Sequence, residues 1–458
     1  MKRKLLLLSA MIIAAISANA QMAWHVQNSG FPSASRGVNG FSVVDSNVVW
    51  ATAYDGTQAA TTIRDYTMTT DGGATWLAGT VTGTGLNANF GLANISAIDA
   101  DTAYAAIYPI SATIAPQGVY KTTNGGSNWT KVSAGKFVAS SSFINIVHFF
   151  NAKDGVALGD PAGGYFEVYT TNNYGVTWNR VSQANIPYVP QANEYGTVGY
   201  FGANDSTILY PTNFGNMLVS KDRGLTWTTS TTPLNVTGTY IPKLEFKDKN
   251  TVLGVMGNTT QAVNALIISI DGGSTWAYAG IDTASDVFDF NDIAYVPGTP
   301  NTWFVTSANF NSGGLGSAYT EDGGTTWIGV DKIQHTSVQF NDINNGWSGG
   351  FNTSATVGGI FKWGSVRLPA SVNFGKVDAF KVYPNPSNGN DLVYVSANVN
   401  GASTIKVTDM MGRVVFEKSY PTKSLLFTSF DVSNYASGLY FVEVSESNNK
   451  SVQKVLVK

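Results

Sequence analysis

Apolar residues recur along this chain in short alternating runs, each closed by a polar or glycine-rich turn. Beyond the first twenty residues no window carries an apolar stripe of helical period. Seven stretches read as strand, polar turn, strand: Asn39–Ala53, Ile95–Ile107, Val147–Asp160, Val198–Pro211, Leu244–Gly257, Ile293–Ser307 and Val338–Phe351. Six of them are followed by an octet of one pattern: Ser or Thr, any residue, Asp or Asn, any, Gly, any, Thr or Asn, Trp. The octets are Thr69–Trp76 "TTDGGATW", Thr122–Trp129 "TTNGGSNW", Thr171–Trp178 "TNNYGVTW", Ser220–Trp227 "SKDRGLTW", Ser269–Trp276 "SIDGGSTW" and Thr320–Trp327 "TEDGGTTW". Their tryptophans stand 53, 49, 49, 49 and 51 residues apart. A period near fifty signals stacked supersecondary units.

One unit therefore reads strand, turn, strand, variable loop, strand, octet, strand. The seventh stretch is followed by "GGIFKW" (Gly358–Trp363), a third strand without an octet. The missing fourth strand is offered by "MAWHVQNSG", Met22 to Gly30, which resembles the sequence after an octet tryptophan. A meander of four strands repeated seven times predicts a seven-bladed β-propeller closed by N-terminal strand donation. Closure removes the open edge that invites aggregation. A six-bladed ring is the alternative.

Within the octet, Asp71, Asn124, Asn173, Asp222, Asp271 and Asp322 are placed to accept hydrogen bonds from main-chain N–H groups of the turn. The fixed glycine permits positive φ, and the tryptophan restarts a strand and covers an apolar edge. A calcium loop needs several oxygen ligands at alternating positions. Here one side chain is followed by glycines and is twice Asn, so these turns read as structural and no metal site is expected. The octets resemble the Asp-box (BNR) repeat of sialidases, sortilin-type receptors, xyloglucanases and photosystem II assembly-factor-like proteins.

Composition narrows the class. Of 458 residues, charged ones make up 12%, about half the usual share, and Gly numbers 48. With abundant Ser, Thr and Asn, this suits short strands and tight turns. There is no cysteine, which excludes disulfides, thiol catalysis and Cys-ligated zinc. "MKRKLLLLSAMIIAAISANA" reads as a secretory signal over 1–20: a basic start, an apolar run and small residues before a cut between Ala20 and Gln21. Losing Lys2, Arg3 and Lys4 leaves the mature chain more acidic than the −3 of the whole. So few cations argue against nucleic acid as a partner. No membrane span is expected in the mature chain, which is taken to be a monomer of one propeller over 21–365, a linker over 366–379 and a tail over 380–458.

The tail has its own alternation and predicts a small immunoglobulin-like antiparallel sandwich. It carries "YPNPSNG" (Tyr383–Gly389), "DMMGR" (Asp409–Arg413), "GLYFVEV" (Gly438–Val444) and "QKVLVK" (Gln453–Lys458). Those motifs, in that order, resemble the type A C-terminal sorting domain of type IX secretion. The resemblance implies engagement of that secretion machinery through 380–458, removal of the tail, and release or attachment to surface lipopolysaccharide on a Gram-negative cell. An ordinary immunoglobulin-like accessory domain is the alternative. Asp101, Asp205 and Asp282 head tripeptides similar to O-glycosylation sites of such bacteria.

Chemistry is harder to read. Sialidases resemble one another in an Arg-Ile-Pro motif, an arginine triad, a Tyr/Glu pair and an acidic residue. Here the nearest string, "TYIPKL" (Thr239–Leu244), lacks the arginine, and only Arg36, Arg64, Arg180, Arg223 and Arg367 lie between leader and tail. A glycosidase needs two carboxylates across a cleft. Asp154, Asp205, Asp248 and Asp342 fall in polar turns, which leaves Asp55, Asp160, Glu167, Glu194, Glu245, Asp286, Asp289 and Asp292 among a few others. Of these Asp160 and Glu194, in irregular loops, are the catalytic candidates, with a solvated loop acid as the plain alternative. His25, His148 and His335 sit in or beside strands and suggest neither triad nor metal site. In the insertion "SQANIPYVPQANEYGTVGYFG" (Ser182–Gly202), Tyr188 and Tyr195 are candidates for a ligand-stacking platform, or else pack the loop. No cofactor is implied. The expectation is an exported propeller that binds an extracellular polysaccharide or protein. A glycoside hydrolase is the second reading and a structural adhesion protein the third.

Overall fold

The computed structural model describes residues 22–57, 63–110, 115–258, 260–261, 263–279, 290–308, 315–365, 380–388, 392–399, 401–421, 425–446 and 449–458. The expected leader, its cut between Ala20 and Gln21, the linker over 366–379, and Asp282, Asp286, Asp289 and Arg367 lie outside the described residues. The chain divides into two compact units, Met1–Val366 and Arg367–Lys458.

In the first unit the alternating runs become antiparallel meanders. Five separate four-stranded sheets follow chain order, the first being Phe90–Ala97, Thr102–Pro109, Gly118–Thr123 and Thr130–Lys131. The other four begin at Ile144–Phe149, Gly202–Ala203, Thr239–Phe246 and Asp292–Tyr295. An eight-stranded sheet holds two more meanders, joined where Gly37 pairs with Phe351. One is Arg36–Val43, Val49–Asp55, Asp65–Thr69 and Leu77–Thr80. The other is Val338–Asp342, Asn345–Ser354, Val357–Ser365 and the N-terminal strand Met22–Asn28. That strand runs antiparallel to Val357–Ser365, from Met22 opposite Ser365 to Asn28 opposite Gly359.

Each octet is a closed hydrogen-bond circuit. In Thr69–Trp76, Asp71 Oδ1 accepts from the Thr69 hydroxyl at 2.8 Å and from Thr75 N–H at 2.9 Å, while Oδ2 accepts from the Thr75 hydroxyl at 2.6 Å. Thr69 Oγ1 in turn accepts from Gly73 N–H at 2.8 Å. Asp222, Asp271 and Asp322 repeat this set. With Asn173 the direction of the last bond reverses, Nδ2 donating to Thr177 Oγ1 at 2.8 Å. Two consecutive residues of every octet have positive φ, not only the fixed glycine. At the first of these positions Tyr174 and Arg223 replace glycine, at φ 63° and 61°. That conformation costs a side-chain-bearing residue about 1 kcal/mol.

The circuit also joins two turns of one sheet. The N–H of the fourth octet residue donates to a carbonyl in the turn between the first two strands: Gly72 to Asn47, Gly125 to Asp101, Tyr174 to Lys153, Arg223 to Ser206, Gly272 to Asn250 and Gly323 to Asn301. The octet tryptophans then couple neighbouring sheets. Trp129 lies edge-on to Tyr66 of the preceding meander at 5.7 Å, and Trp178 meets Phe149 of its own sheet and Tyr104 of the preceding one. Trp227, Trp276 and Trp327 pack against the sheets before theirs, and Trp76 joins Trp347 and Ile360. In the meander without an octet, Trp24 takes this place. It packs on Phe304 of the preceding sheet and on Phe340, and donates from Nε1 to Ser317 Oγ at 2.9 Å.

These bonds set a response to acid. The Thr75 hydroxyl and N–H hold Asp71 at about 2; Asp271 falls to about 2 because its Thr275 bonds outweigh burial; Thr326 N–H and hydroxyl hold Asp322 at about 2. A carboxylate depressed on folding stabilises above its unfolded pKa, about 3.9, and loses that contribution as pH falls. The parent chain will lose denaturant stability between about pH 4 and pH 2, and the triple variant Asp71→Asn, Asp271→Asn, Asp322→Asn will lose less over that window. Equal slopes of unfolding free energy against pH would refute the assignment.

In the second unit a three-stranded sheet (Lys381–Tyr383, Leu392–Asn398, Leu425–Asp431) and a four-stranded one (Val414–Tyr420, Ser403–Thr408, Gly438–Glu446, Asn449–Val457) share one core. Val393, Val395 and Phe430 meet Ile405, Val442, Val444 and Val455 there. Of the sequence motifs, "GLYFVEV" and "QKVLVK" lie in strands and the other two form turns. Asn385 of "YPNPSNG" donates to Lys454 O and accepts from Leu456 N–H, which fastens that turn to the last strand. Asp409 of "DMMGR" accepts from Met411 and Arg413 N–H and pairs with the Arg413 guanidinium at 2.7 Å.

Candidate functional site

The first strand of every meander in the first unit faces a common cavity of about 480 Å³. Its wall takes Asn39–Val43, Ala93–Ala97, His148 and Phe149, Gly199–Ala203, Pro242–Glu245, Asp292 and Gln339–Asn341 in chain order. These residues lie at the start of the strand–turn–strand stretches or just ahead of them. The volume lies in the range of about 300–1,000 Å³ typical of small-molecule clefts.

Three charged side chains meet on one wall, Lys243 and Glu245 from the strand Thr239–Phe246 and Asp292 from the sheet that follows. Lys243 Nζ donates to Gln339 Oε1 at 2.8 Å and stands 3.7 Å from Glu245 Oε2 and 3.6 Å from Asp292 Oδ1. Gln339 Nε2 donates to Glu245 Oε1 at 2.8 Å. Asp292 is fixed by the main chain, accepting from Ile293 N–H at 2.7 Å and Val338 N–H at 3.0 Å. Burial raises both carboxylates above their ordinary range against the pull of Lys243. Burial also opposes the Lys243 charge, but attraction to Asp292 and Glu245 outweighs it and its pKa is raised. The group therefore carries two acids and one base.

The facing wall is neutral. Burial lowers His148 to about 4, so its imidazole is uncharged at neutral pH, edge-on to Phe150 at 4.7 Å. Ser42 and Ser96 accept from Ala97 and Phe149 N–H and keep their own protons to donate. Phe41, Tyr200 and Phe201 supply ring surface.

The residues singled out from sequence lie elsewhere, at the ends of the meanders away from the octets. Asp160 Oδ1 accepts from Asn145 Nδ2 at 2.7 Å and Gly196 N–H at 3.1 Å, and burial lifts its pKa to about 6. Glu194, 4% exposed, takes four donors: the Thr212 hydroxyl at 2.6 Å, the Tyr188 hydroxyl at 2.7 Å, Asn216 Nδ2 at 2.8 Å and Gln191 N–H at 2.9 Å. Gly196 N–H thus ties the loop that carries Glu194 to Asp160. The two tyrosines separate: Tyr188 is anchored by Glu194 and Asn216 and stacks over Phe166 at 6.4 Å, while Tyr195 is 50% exposed. Glu245 and Asp292 stood among the acids left over in the sequence. Lys243, Gln339 and His148 carried no signal there beyond being polar on a first strand.

The described arginines ahead of the tail are committed. Arg36 pairs with Asp55 at 3.0 Å and Asp65 at 3.3 Å; Arg64 donates to the carbonyls of Val81, Asn87 and Phe90. Arg180 donates to Ala162 O and covers Tyr165, and Arg223 pairs with Asp154. His335 does meet a hydroxyl and a carboxylate, Ser348 Oγ at 2.7 Å and Asp331 at 3.1 Å. Ser348 is fully buried and gives its proton to Ser337 O at 2.8 Å, so this group fastens strands and exposes no nucleophile.

Comparison with known proteins separates the two units. Residues 381–458 match the secretion system C-terminal sorting domain. The chain is 24% identical over 189 residues, 41% of its length, to an ulvan lyase, NLR42, of Nonlabens ulvanivorans, and that match spans about a third of the relative. YCF48, solved with a D1 peptide bound, is similar in structure at a TM-score of 0.50 and 14% identity, over 74% of this chain and 96% of that one. YCF48 from Cyanidioschyzon merolae follows at 0.49 and 15%, covering 75% and 98%. The polypeptide is thus a secreted or surface-delivered cargo whose all-β first unit has the β-propeller fold and whose residues 381–458 are a type IX secretion C-terminal sorting domain.

Proposed function

We propose that the mature protein is a seven-bladed Asp-box propeller over 21–365 that binds an extracellular polysaccharide in its central cavity. In this reading residues 1–20 are a cleaved signal, 366–379 a linker, and 380–458 an immunoglobulin-like sandwich that hands the protein to the type IX machinery at the outer membrane. The observation that carries the function is the cavity. Ring faces, hydroxyls and a fixed polar cluster converge there from the first strand of every meander, the combination that recognises a sugar's C–H surface and hydroxyls together. Similarity to a protein named for lyase action on ulvan supports a glycan ligand.

Catalysis on a glycan is the second reading, favoured by Asp160, whose pKa of about 6 suits proton transfer near neutral pH. A polysaccharide and protein array with the purified protein, followed by product analysis on each polysaccharide bound, separates the two. We expect binding without new reducing or unsaturated ends. Turnover that disappears in Asp160→Asn or Glu194→Gln would make the protein an enzyme; retention of a protein ligand alone would remove the glycan assignment.

A further inference from the structure

We infer that the cavity selects uncharged saccharides and rejects those bearing carboxylate or sulfate; this rests on the glycan-binding reading above. Charge decides it. Among the described lining residues the acidic and basic side chains of the wall are Lys243, Glu245 and Asp292, two carboxyl groups to one amine. An anionic sugar needs a cation whose charge is not already balanced by the protein, often a bidentate guanidinium. The described arginines ahead of the tail are spent on Asp55, Asp65, Asp154 or main-chain carbonyls, and Lys243 already stands between two acids. A cationic ligand gains little either, because Lys243 fills the place a cation would take.

A hydroxyl fits. The 3.7 and 3.6 Å separations from Lys243 Nζ to Glu245 Oε2 and Asp292 Oδ1 exceed a hydrogen bond, so the ammonium keeps donors and Glu245 Oε2 keeps a lone pair. A neutral O–H accepts from the ammonium and donates to the carboxylate without altering the charge. The Ser42 and Ser96 hydroxyls and the Phe41, Tyr200 and Phe201 side chains line the same cavity.

The test is calorimetric titration of the full chain with cellohexaose, mannohexaose, hexagalacturonate and a sulfated oligosaccharide of matched length, at two salt concentrations. The expected result is binding of a neutral probe that salt leaves unchanged and no binding of the anionic ones. Glu245→Gln keeps an acceptor for Gln339 and lightens the negative charge, so it should fold; it should weaken the neutral probe on the order of 10–100-fold. An anionic probe that binds as tightly as the neutral ones, with affinity falling as salt rises, overturns the inference but leaves the glycan reading standing. So does a neutral probe that binds equally to parent and folded Glu245→Gln. Should that variant unfold, the parent's ranking of neutral over anionic probes decides alone. Failure of every glycan removes the reading beneath the inference, and the inference with it.

Discussion

A chain that lacks Met22–Asn28 will melt roughly 15 °C or more below the parent and aggregate on storage. The strand makes a full register of pairs with Val357–Ser365, so its removal leaves that strand as an open edge. It also holds a neighbour on each side. Trp24 packs on Phe304 and donates to Ser317 in the preceding sheet, and Gln27 Oε1 accepts from Trp76 Nε1 of the following meander at 3.0 Å. Among the described residues no other strand pairs with the free side of Val357–Ser365, because the seventh meander has no octet and no fourth strand of its own. Trp24→Ala alone should cost about 3 kcal/mol, the range for truncating a packed aromatic. A synthetic Met22–Gly30 peptide added to the shortened chain should recover part of the loss. An unchanged melting temperature in the shortened chain would show that the N-terminal strand does not close the fold.

Lys243→Met should be the most damaging single change in the cavity, by about 3–5 kcal/mol at neutral pH, or roughly 4–7 °C in melting temperature. The substitution keeps the length of the side chain and leaves Glu245 and Asp292 facing each other without their counter-ion. Its pH dependence identifies the cause. Both carboxylates have pKa values raised by burial, so the folded state binds more protons than the unfolded one between about pH 4 and the raised values. Stability therefore falls as pH rises through that window, and the variant's deficit should be largest at neutral pH and shrink on acidification. In the parent, Lys243 contributes fully below its unfolded pKa of about 10.5 and loses that contribution as pH climbs through its raised folded value. Adding Glu245→Gln to Lys243→Met should restore part of the stability. A deficit that does not vary with pH would mean the lysine matters for packing and not for charge.

The repeat was legible because each octet is a local device. Its acceptor, its hydroxyls and its glycine lie within eight residues, so their chemistry survives in the linear order. Even there the reading was incomplete. Positive φ at the fourth octet position is masked where Tyr174 and Arg223 stand, because a bulky residue in that conformation is held by its surroundings and not by its own preference. In the polar turns the sequence pointed to Asp154 and Asp205, while the capping oxygens belong to Asn151 and Asn204. Either residue type can cap, and strand register chooses between them. The insertion from Ser182 to Gly202 drew attention for its tyrosines and acid, but sequence could not show that Glu194 would draw Tyr188, Thr212 and Asn216 around itself.

By itself the sequence determined what depends on neighbours in the chain: the strand periods, the octet turns, the spare strand at the N-terminus and the motifs of the tail. Only the tertiary structure decided which polar side chains face one another. Lys243, Glu245, Asp292 and Gln339 come from three sheets, with Lys243 and Gln339 96 residues apart. Each looks like an ordinary strand residue until the first strands converge on one cavity. There the loss of water makes the balance of two acids and one base the dominant electrostatic fact.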